Sequence, residues 1–237
     1  MHRLILPALL VGLIGIPARA DDAEARKVVD AAIKAVGGDG KKMAVTWKGK
    51  GKFYGDGAAQ DYTGIWYIHS PDKFRMDIEN VFSIVVNGDK GWISAGGNAM
   101  EMTKEQLAEQ REEMHANWVA SLYPLKDKAF TLALIGESKL DDKPVVGVKV
   151  SSKGKRDVSL YFDKESHLLV KSEHVVKDQQ VGNEVTQESV VNDWAKVGDR
   201  KVAGKMTTKR DGKLYVEGEM SDYKVADKHP DGTFDKP

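Results

Sequence analysis

Histidines are the first side chains to consider for chemistry, because imidazole titrates near neutral pH and binds metals. Beyond His2, the chain has His69, His115, His167, His174 and His229, with no H-E-x-x-H and no paired ligand spacing. His167 and His174 are expected on one strand, facing opposite sides at an odd separation. All five read as surface or strand residues. Ser70-Pro71-Asp72-Lys73 fits the S-x-x-K pattern of serine nucleophiles, but its companions S-D-N and K-T-G are absent and the tetrad falls in a turn. Gly198 to Lys205 resembles a phosphate loop, yet has one residue too many between its glycines and Met206 where Ser or Thr should hold a metal. No G-x-S-x-G occurs. No catalytic residue is assigned, no metal and no cofactor are expected, and the chain reads as a non-enzyme.

What remains is apolar. Trp47, Trp66, Trp92, Trp118 and Trp194, with 8 methionines, are many for a chain that is 30% charged. Most belong to an ordinary core. Around Trp66 that explanation is incomplete, because Ile65 and Tyr67 face one way and Trp66 and Ile68 the other, so the strand is apolar on both sides. Two apolar layers are needed there, and only two strong helices exist to supply them. A curved sheet holding helices in its concavity, with a cavity between, answers this. Met100, Met102 and Met114 suit such a wall, since methionine adapts to ligands of variable shape.

The elements that position these groups follow from pattern. Asp22–Val36 is an amphipathic helix with Ala25, Val28, Val29, Ala32, Ile33 and Val36 at three- and four-residue spacing, closed by Gly37-Gly38. A strand from Met43 to Tyr54 turns through Gly55-Asp56-Gly57 into the next, forming a hairpin. Tyr62 to Ile93 reads as three strands broken at Ser70-Pro71-Asp72 and Asn87-Gly88-Asp89. There Phe74, Met76 and Ile78 alternate with Arg75, Asp77 and Glu79. Thr103 with Gln106 three residues on is a capping box. The helix it opens runs to about Leu122 with Leu107, Met114, Trp118, Val119 and Leu122 as its apolar stripe. Its other face, Lys104, Glu105, Glu109, Arg111, Glu112 and Glu113, is expected to be solvated. From Phe130 onward strands and turns alternate as an antiparallel meander. The total is ten or eleven strands and two helices, with no βαβ rhythm. The fold class is mainly β with α: one curled antiparallel sheet, an incomplete barrel, with helices plugging its concave face.

Residues 1–20 are expected to be a signal peptide: Arg3, an uncharged apolar run from Leu4 to Pro17, and Ala18-Arg19-Ala20 as an A-x-A cleavage site. The run is short for a membrane span, which needs ~20 apolar residues. No cysteine exists to carry a lipid anchor or a disulfide. Residues 21–237 are expected to form one domain, with 226–237 a polar tail along the surface or frayed, in a periplasmic or secreted setting. Removing Arg3 and Arg19 takes 36 basic residues to 34 against 36 acidic, a net charge of −2. That excludes nucleic acid as the main partner.

The order of elements resembles the LolA/LolB-like periplasmic lipoprotein-carrier family. The residues that carry the resemblance are Gly64, Trp66-Tyr67, Pro71, Phe74-Arg75, Val86, Asn87-Gly88 and Trp92, with the leading helix, the helix after Trp92 and the Tyr161-Phe162-Asp163 hairpin extending it. The resemblance implies a half-barrel carrier for lipid or acylated protein, with a membrane-associated receptor as a further partner and a monomer favoured. Trp66, Ile68, Phe74, Met76, Met114 and Trp118 are the residues expected to line its apolar cavity. The dedicated carrier has a basic residue before the turn proline, where this chain has Ser70, so lipoprotein delivery is not carried over. The alternative is an envelope sensor or protein-interaction module on the same fold.

Overall fold

The computed structural model describes residues 18–37, 44–55, 57–178 and 182–237, with only the backbone of Ala18, Arg19 and Ala20. The apolar leader, Gly38, Met43 and Asp56 lie outside the described residues. Helix α1 (Ala18–Val36) precedes strands β1 (Ala44–Phe53), β2 (Gln60–His69), β3 (Lys73–Ile78), β4 (Phe82–Asn87), β5 (Lys90–Ala95) and β6 (Asn98–Glu101). Helix α2 (Lys104–Ala120) and a 3-10 turn (Tyr123–Lys126) lead to β7 (Phe130–Leu140), β8 (Lys143–Ser152), β9 (Val158–Asp163) and β10 (Leu169–Lys177). Strands β11 (Glu184–Val197), β12 (Arg200–Arg210) and β13 (Lys213–Ala226) complete the chain.

Among the described residues the strands form one antiparallel sheet of 13, ordered β6-β5-β4-β3-β2-β1-β13-β12-β11-β10-β9-β8-β7. Two hairpin meanders, β1–β6 and β7–β13, are therefore joined at the β1–β13 pair, and β6 and β7 are the two edges. The curled-sheet expectation holds. The strand count is higher than expected because the β2–β5 stretch holds four strands, not three, and β6, only 4 residues long, has no counterpart among the expected strands. Asn80 at φ 57 splits β3 from β4, and Gly96 and Gly97 at φ 57 and 81 turn β5 into β6.

The join is narrow for a reason legible in the backbone. Gly51 pairs with Gly218 across β1 and β13, and a Cβ on Gly51 would sit 1.8 Å from the Glu217 carbonyl oxygen. Only glycine permits this approach. The free edge at β7 is also managed. Asp22 and Asp21 carboxylates accept the Leu132 and Leu134 backbone N–H groups at 3.0 Å each, and Arg26 donates to the Leu125 and Phe130 carbonyls. The start of α1 thus occupies donors that would otherwise template another strand.

The capping box forms as expected: Thr103 Oγ1 accepts from Gln106 N, and Gln106 Oε1 accepts from Thr103 N. The main core joins α1 (Ala25, Val29, Ile33) and the C-terminal end of α2 (Val119) to Phe130, Val148, Leu160 and Phe162. A smaller cluster joins Met102 and Met114 to Val86, Phe74, Ile84, Ile93 and Leu107. The C-terminal tail does not fray. His229 and Phe234 are buried at 9% and 8% exposure, with His229 Nε2 2.9 Å from the Ile68 carbonyl and its ring edge-on to Tyr67. Arg75 donates to the Thr233 carbonyl at 3.1 Å. The tail covers the outward side of β2, which accounts for Tyr67 on that strand's second apolar face.

Gly51→Ala is expected to destabilise the protein by about 3 kcal/mol in urea unfolding, since overpacking against backbone cannot relax. Gly88→Ala, at φ +63 with open space around it, should cost only about 1 kcal/mol. Equal losses would show that the β1–β13 approach is not the constraint.

Candidate functional site

Register places a single row of large apolar side chains across the whole first meander. Trp47 pairs with Trp66, Trp66 with Met76, Met76 with Ile84, Ile84 with Ile93, and Ile93 with Met100. Side chains in register share a face, and Ile84 and Ile93 in the α2-side cluster identify it as the helix-facing one. At about 4.8 Å per strand, the row runs ~24 Å across β1–β6. Its first five members are half-buried, and Met100 at the β6 edge is 67% exposed. The adjacent row, Ile68, Phe74, Val86 and Gly91, lies under α2. A Cβ on Gly91 would meet Met102 Sδ at 2.6 Å and Leu107 Cδ1 at 2.9 Å.

The row has an aromatic head. Trp47 and Trp66 stack with centroids 6.1 Å apart and planes 4° apart, Tyr223 stacks on Trp47, and Tyr62 meets Trp66 edge-on. The Trp66 ring occupies the space a Cβ on Gly49 would need, at 2.5 Å. Glycine here lets a flat indole lie on the backbone.

Of the residues expected from sequence, Trp66, Ile68, Phe74 and Met76 share this face, and Met114 packs in the same cluster as Phe74. Trp118 does not join them. It packs on the main core beside Phe130, 5.8 Å between centroids, and beside His115. Because α2 crosses from one meander to the other, its two ends serve different clusters. Sequence reading named Met100 for this face but missed Trp47, Ile84 and Ile93 as members of the row. The alternation in each strand carried the signal, and the cross-strand register was what it lacked.

The charged face of α2 is solvated only in part: Lys104, Glu105 and Arg111 are exposed as expected, whereas Glu109, Glu112 and Glu113 are partly buried in a seam of cations. Glu109 pairs with Arg156 at 2.7 Å and accepts from Lys177 N, while Glu112 pairs with Lys155 at 2.8 Å and accepts from Arg156 N. Arg210 reaches both Glu113 at 3.4 Å and Asp178 at 3.2 Å, and it donates to Gln187. Arg111 donates to the Gly88 carbonyl on the opposite meander. Burial pushes the Glu113 carboxyl up, Arg210 pulls it back and Glu109 adds to the rise. Burial also opposes the Glu112 charge, but the hydrogen bonds from Lys155 and Arg156 N hold it below the usual carboxylate value.

Two histidines lie in this seam. His115 stacks on Phe130 with Nε2 3.2 Å from Ser152 Oγ, and burial lowers it. His174, 8% exposed, is held down to about 4 by burial and then by Arg210 and Arg156. Its Nε2 has no hydrogen-bond partner among the described residues. His167 is not on the strand with it: at φ 59 it forms the β9–β10 turn.

On the outward face, a groove of about 730 Å³ crosses β2, β1, β13 and β12. Lys50 and Lys205 share Glu219 there, and Lys52 pairs with Asp61, so the groove is a charge-balanced ladder. The phosphate-loop-like segment is the β11–β12 turn and β12 itself, with no helix after it. Ser70 and Lys73 flank the β2–β3 turn, where Lys73 lies over the Phe234 ring. Among the described residues no cluster of His, Asp and Glu has metal-binding geometry, and no helix is long and apolar enough to cross a membrane.

No protein-family model matches the chain, and no curated protein matches its sequence. Solved structures do match in shape. A LolA superfamily protein from Nitrosomonas europaea aligns with TM-score 0.58 at 12% identity over 90% of this chain and 97% of that one. A DUF1329 family protein from Desulfovibrio piger gives 0.59 at 11% identity over 89% and 97%. A domain described as outer membrane lipoprotein-sorting protein from Vibrio parahaemolyticus gives 0.56 at 10% identity over 89% and 97%. At these identities the likeness is one of fold, and the fold is LolA-like.

The Trp66–Gly49 contact is open to a double-mutant cycle. Gly49→Ala alone is expected to cost about 2 kcal/mol of stability through steric overlap with the indole. In a Trp66→Leu background the same change should cost less than half as much. Additive losses would mean that the ring does not lie on Gly49.

Proposed function

We propose that this protein is a soluble, exported carrier that shelters acyl chains on the inner face of its half-barrel. The observation that supports this most is the Trp47–Met100 row: a continuous apolar strip on the helix-facing side of the sheet, incompletely covered along its first five members and open at Met100. Incompletely covered apolar rows of this length are costly in water and are uncommon without a ligand or partner. An acyl chain gains ~0.8 kcal/mol per methylene on leaving water, so ~15 methylenes are worth ~12 kcal/mol gross. Ordering and association costs take back much of that. The remainder gives binding that is tight and reversible.

In this reading Trp66, Ile68, Phe74, Met76 and Met114 contact the chain, and Trp118 anchors α2 to the core. Helix α2 acts as a lid, because its Met114 and Leu107 already cover the row beside the open strip. Moving it aside exchanges contacts within the protein for contacts with the ligand. The LolA-like fold and the lipoprotein-sorting description of one neighbour agree with this reading, as does the apolar run from Leu4 to Pro17 in the sequence.

Native mass spectrometry of protein isolated from its own envelope is expected to find bound lipid. Met76→Asp should weaken palmitate binding at least tenfold, because a carboxylate would have to be desolvated under the chain. Thr63→Asp, on the outward face, should leave binding unchanged. Recovery of one protein partner with no lipid, and no palmitate binding, would favour a sensor or interaction module instead.

A further inference from the structure

The seam that ties α2 to the second meander contains a group with no use in a purely structural clasp. His174 projects from β10 towards α2, pairs in register with Gln187 on β11, and leaves Nε2 unsatisfied in a site 8% exposed. The charged groups around it come from every element packed there. Glu109 and Glu112 come from α2, Arg156 from the β8–β9 hairpin and Arg210 from β12. Asp178, just past β10, and Glu113 on α2 both hold Arg210. A proton on His174 would add a third cation beside two guanidiniums in a site only 8% exposed.

That cost has one accessible release. The β10, β11 and β12 strands are bonded into the sheet on both sides, whereas α2, beyond its C-terminal anchor in the main core at Ala116, Trp118 and Val119, is held by three carboxylates on one flank and the small Met114 cluster on the other. Moving α2 away admits water to His174 and frees Glu109 and Glu112 together. We propose that the seam is an acid-labile latch, in which protonation of His174 releases α2 and opens the acyl trough. The proposal concerns regulation of the site described above and rests on the reading of α2 as its lid.

The direction follows from the shifts. His174 is lowered in the closed state, so its contribution to closure is complete above pH 6.5 and lost as pH falls through about 4. His115, also lowered, acts in the same sense. Glu112, lowered too, adds to opening only below the ordinary carboxylate range. Glu113 is raised and opposes: its neutral form favours closure, so its contribution is present at low pH and lost as pH rises through its folded value. Between neutrality and pH 5 the histidines therefore drive the change.

Hydrogen exchange of the full-length mature protein without ligand tests this. In wild type the opening constant of α2 amides is expected to rise on the order of 20-fold from pH 7 to pH 5, after correction for intrinsic exchange, while β8 and β9 amides keep their protection. His174→Gln should abolish most of the rise. Constant α2 protection, loss in step with the sheet, or an equal rise in His174→Gln would overturn the latch. If the variant fails to fold, an NMR titration of the wild-type protein decides: α2 resonances that shift in step with the His174 imidazole support the latch, and α2 resonances that stay constant while the imidazole titrates overturn it. Opening of α2 with no palmitate uptake at either pH would support the latch and overturn the carrier reading.

Discussion

Every sheet face must be covered or left wet, and two helices have too little apolar surface to cover the inside of a 13-stranded sheet. The consequences run through the whole molecule. Helix α1 and the C-terminal end of α2 are committed to one core over β7–β10, and only Leu107 and Met114 of α2 reach β3–β5. The strip from Trp47 to Met100 is what remains. Stacking between Trp47, Trp66 and Tyr223 keeps that strip flat and rigid, which lowers the ordering cost of anything laid along it. Glycines at 49, 51 and 218 give the backbone its close approach and the rings their room.

Helix α2 reconciles two demands. It must cross from edge β6 to edge β7, because the chain has no other route between its meanders, and it must stay removable if the strip is to admit a ligand. Its attachments suit both. Apolar contacts at Val119 and Leu122 hold the C-terminal end in a full core. The N-terminal half is held by carboxylates on Arg156, Lys155 and Arg210, side chains between 13% and 33% exposed. Partly hydrated ion pairs of this kind give position and modest stability, so the same contacts that seat the helix leave it releasable.

Much of this was legible in the sequence, and the failures share a cause. Local chemistry read correctly: the capping box at Thr103, the α1 stripe, and the alternation of Phe74, Met76 and Ile78 against charged neighbours. Long-range pairing did not. Glu112 and Glu113 looked solvated because their partners lie 43 and 97 residues away, and nothing in helical periodicity reports a cation across a groove. Trp118 shares a stripe with Met114, yet the helix spans two clusters, so one stripe serves two cores. His229 and Phe234 sit in a polar tail whose docking depends on the Tyr67 and Arg75 face of β2 and β3. At 4 residues β6 is too short for alternation to be read, and the turn at Asn80 that splits β3 from β4 carries no Gly or Pro to mark it.

The central claim is that the inner strip under Trp66 is where an acyl chain lies. The most direct measurement is fluorescence quenching by a palmitate analogue brominated along its chain, using protein in which Trp92, Trp118 and Trp194 are replaced by Phe. Trp47 and Trp66 then report alone. The account predicts saturable quenching at one chain per protein, reversed by unbrominated palmitate. Bound analogue with no quenching would contradict it, because the chain would then lie elsewhere on the molecule.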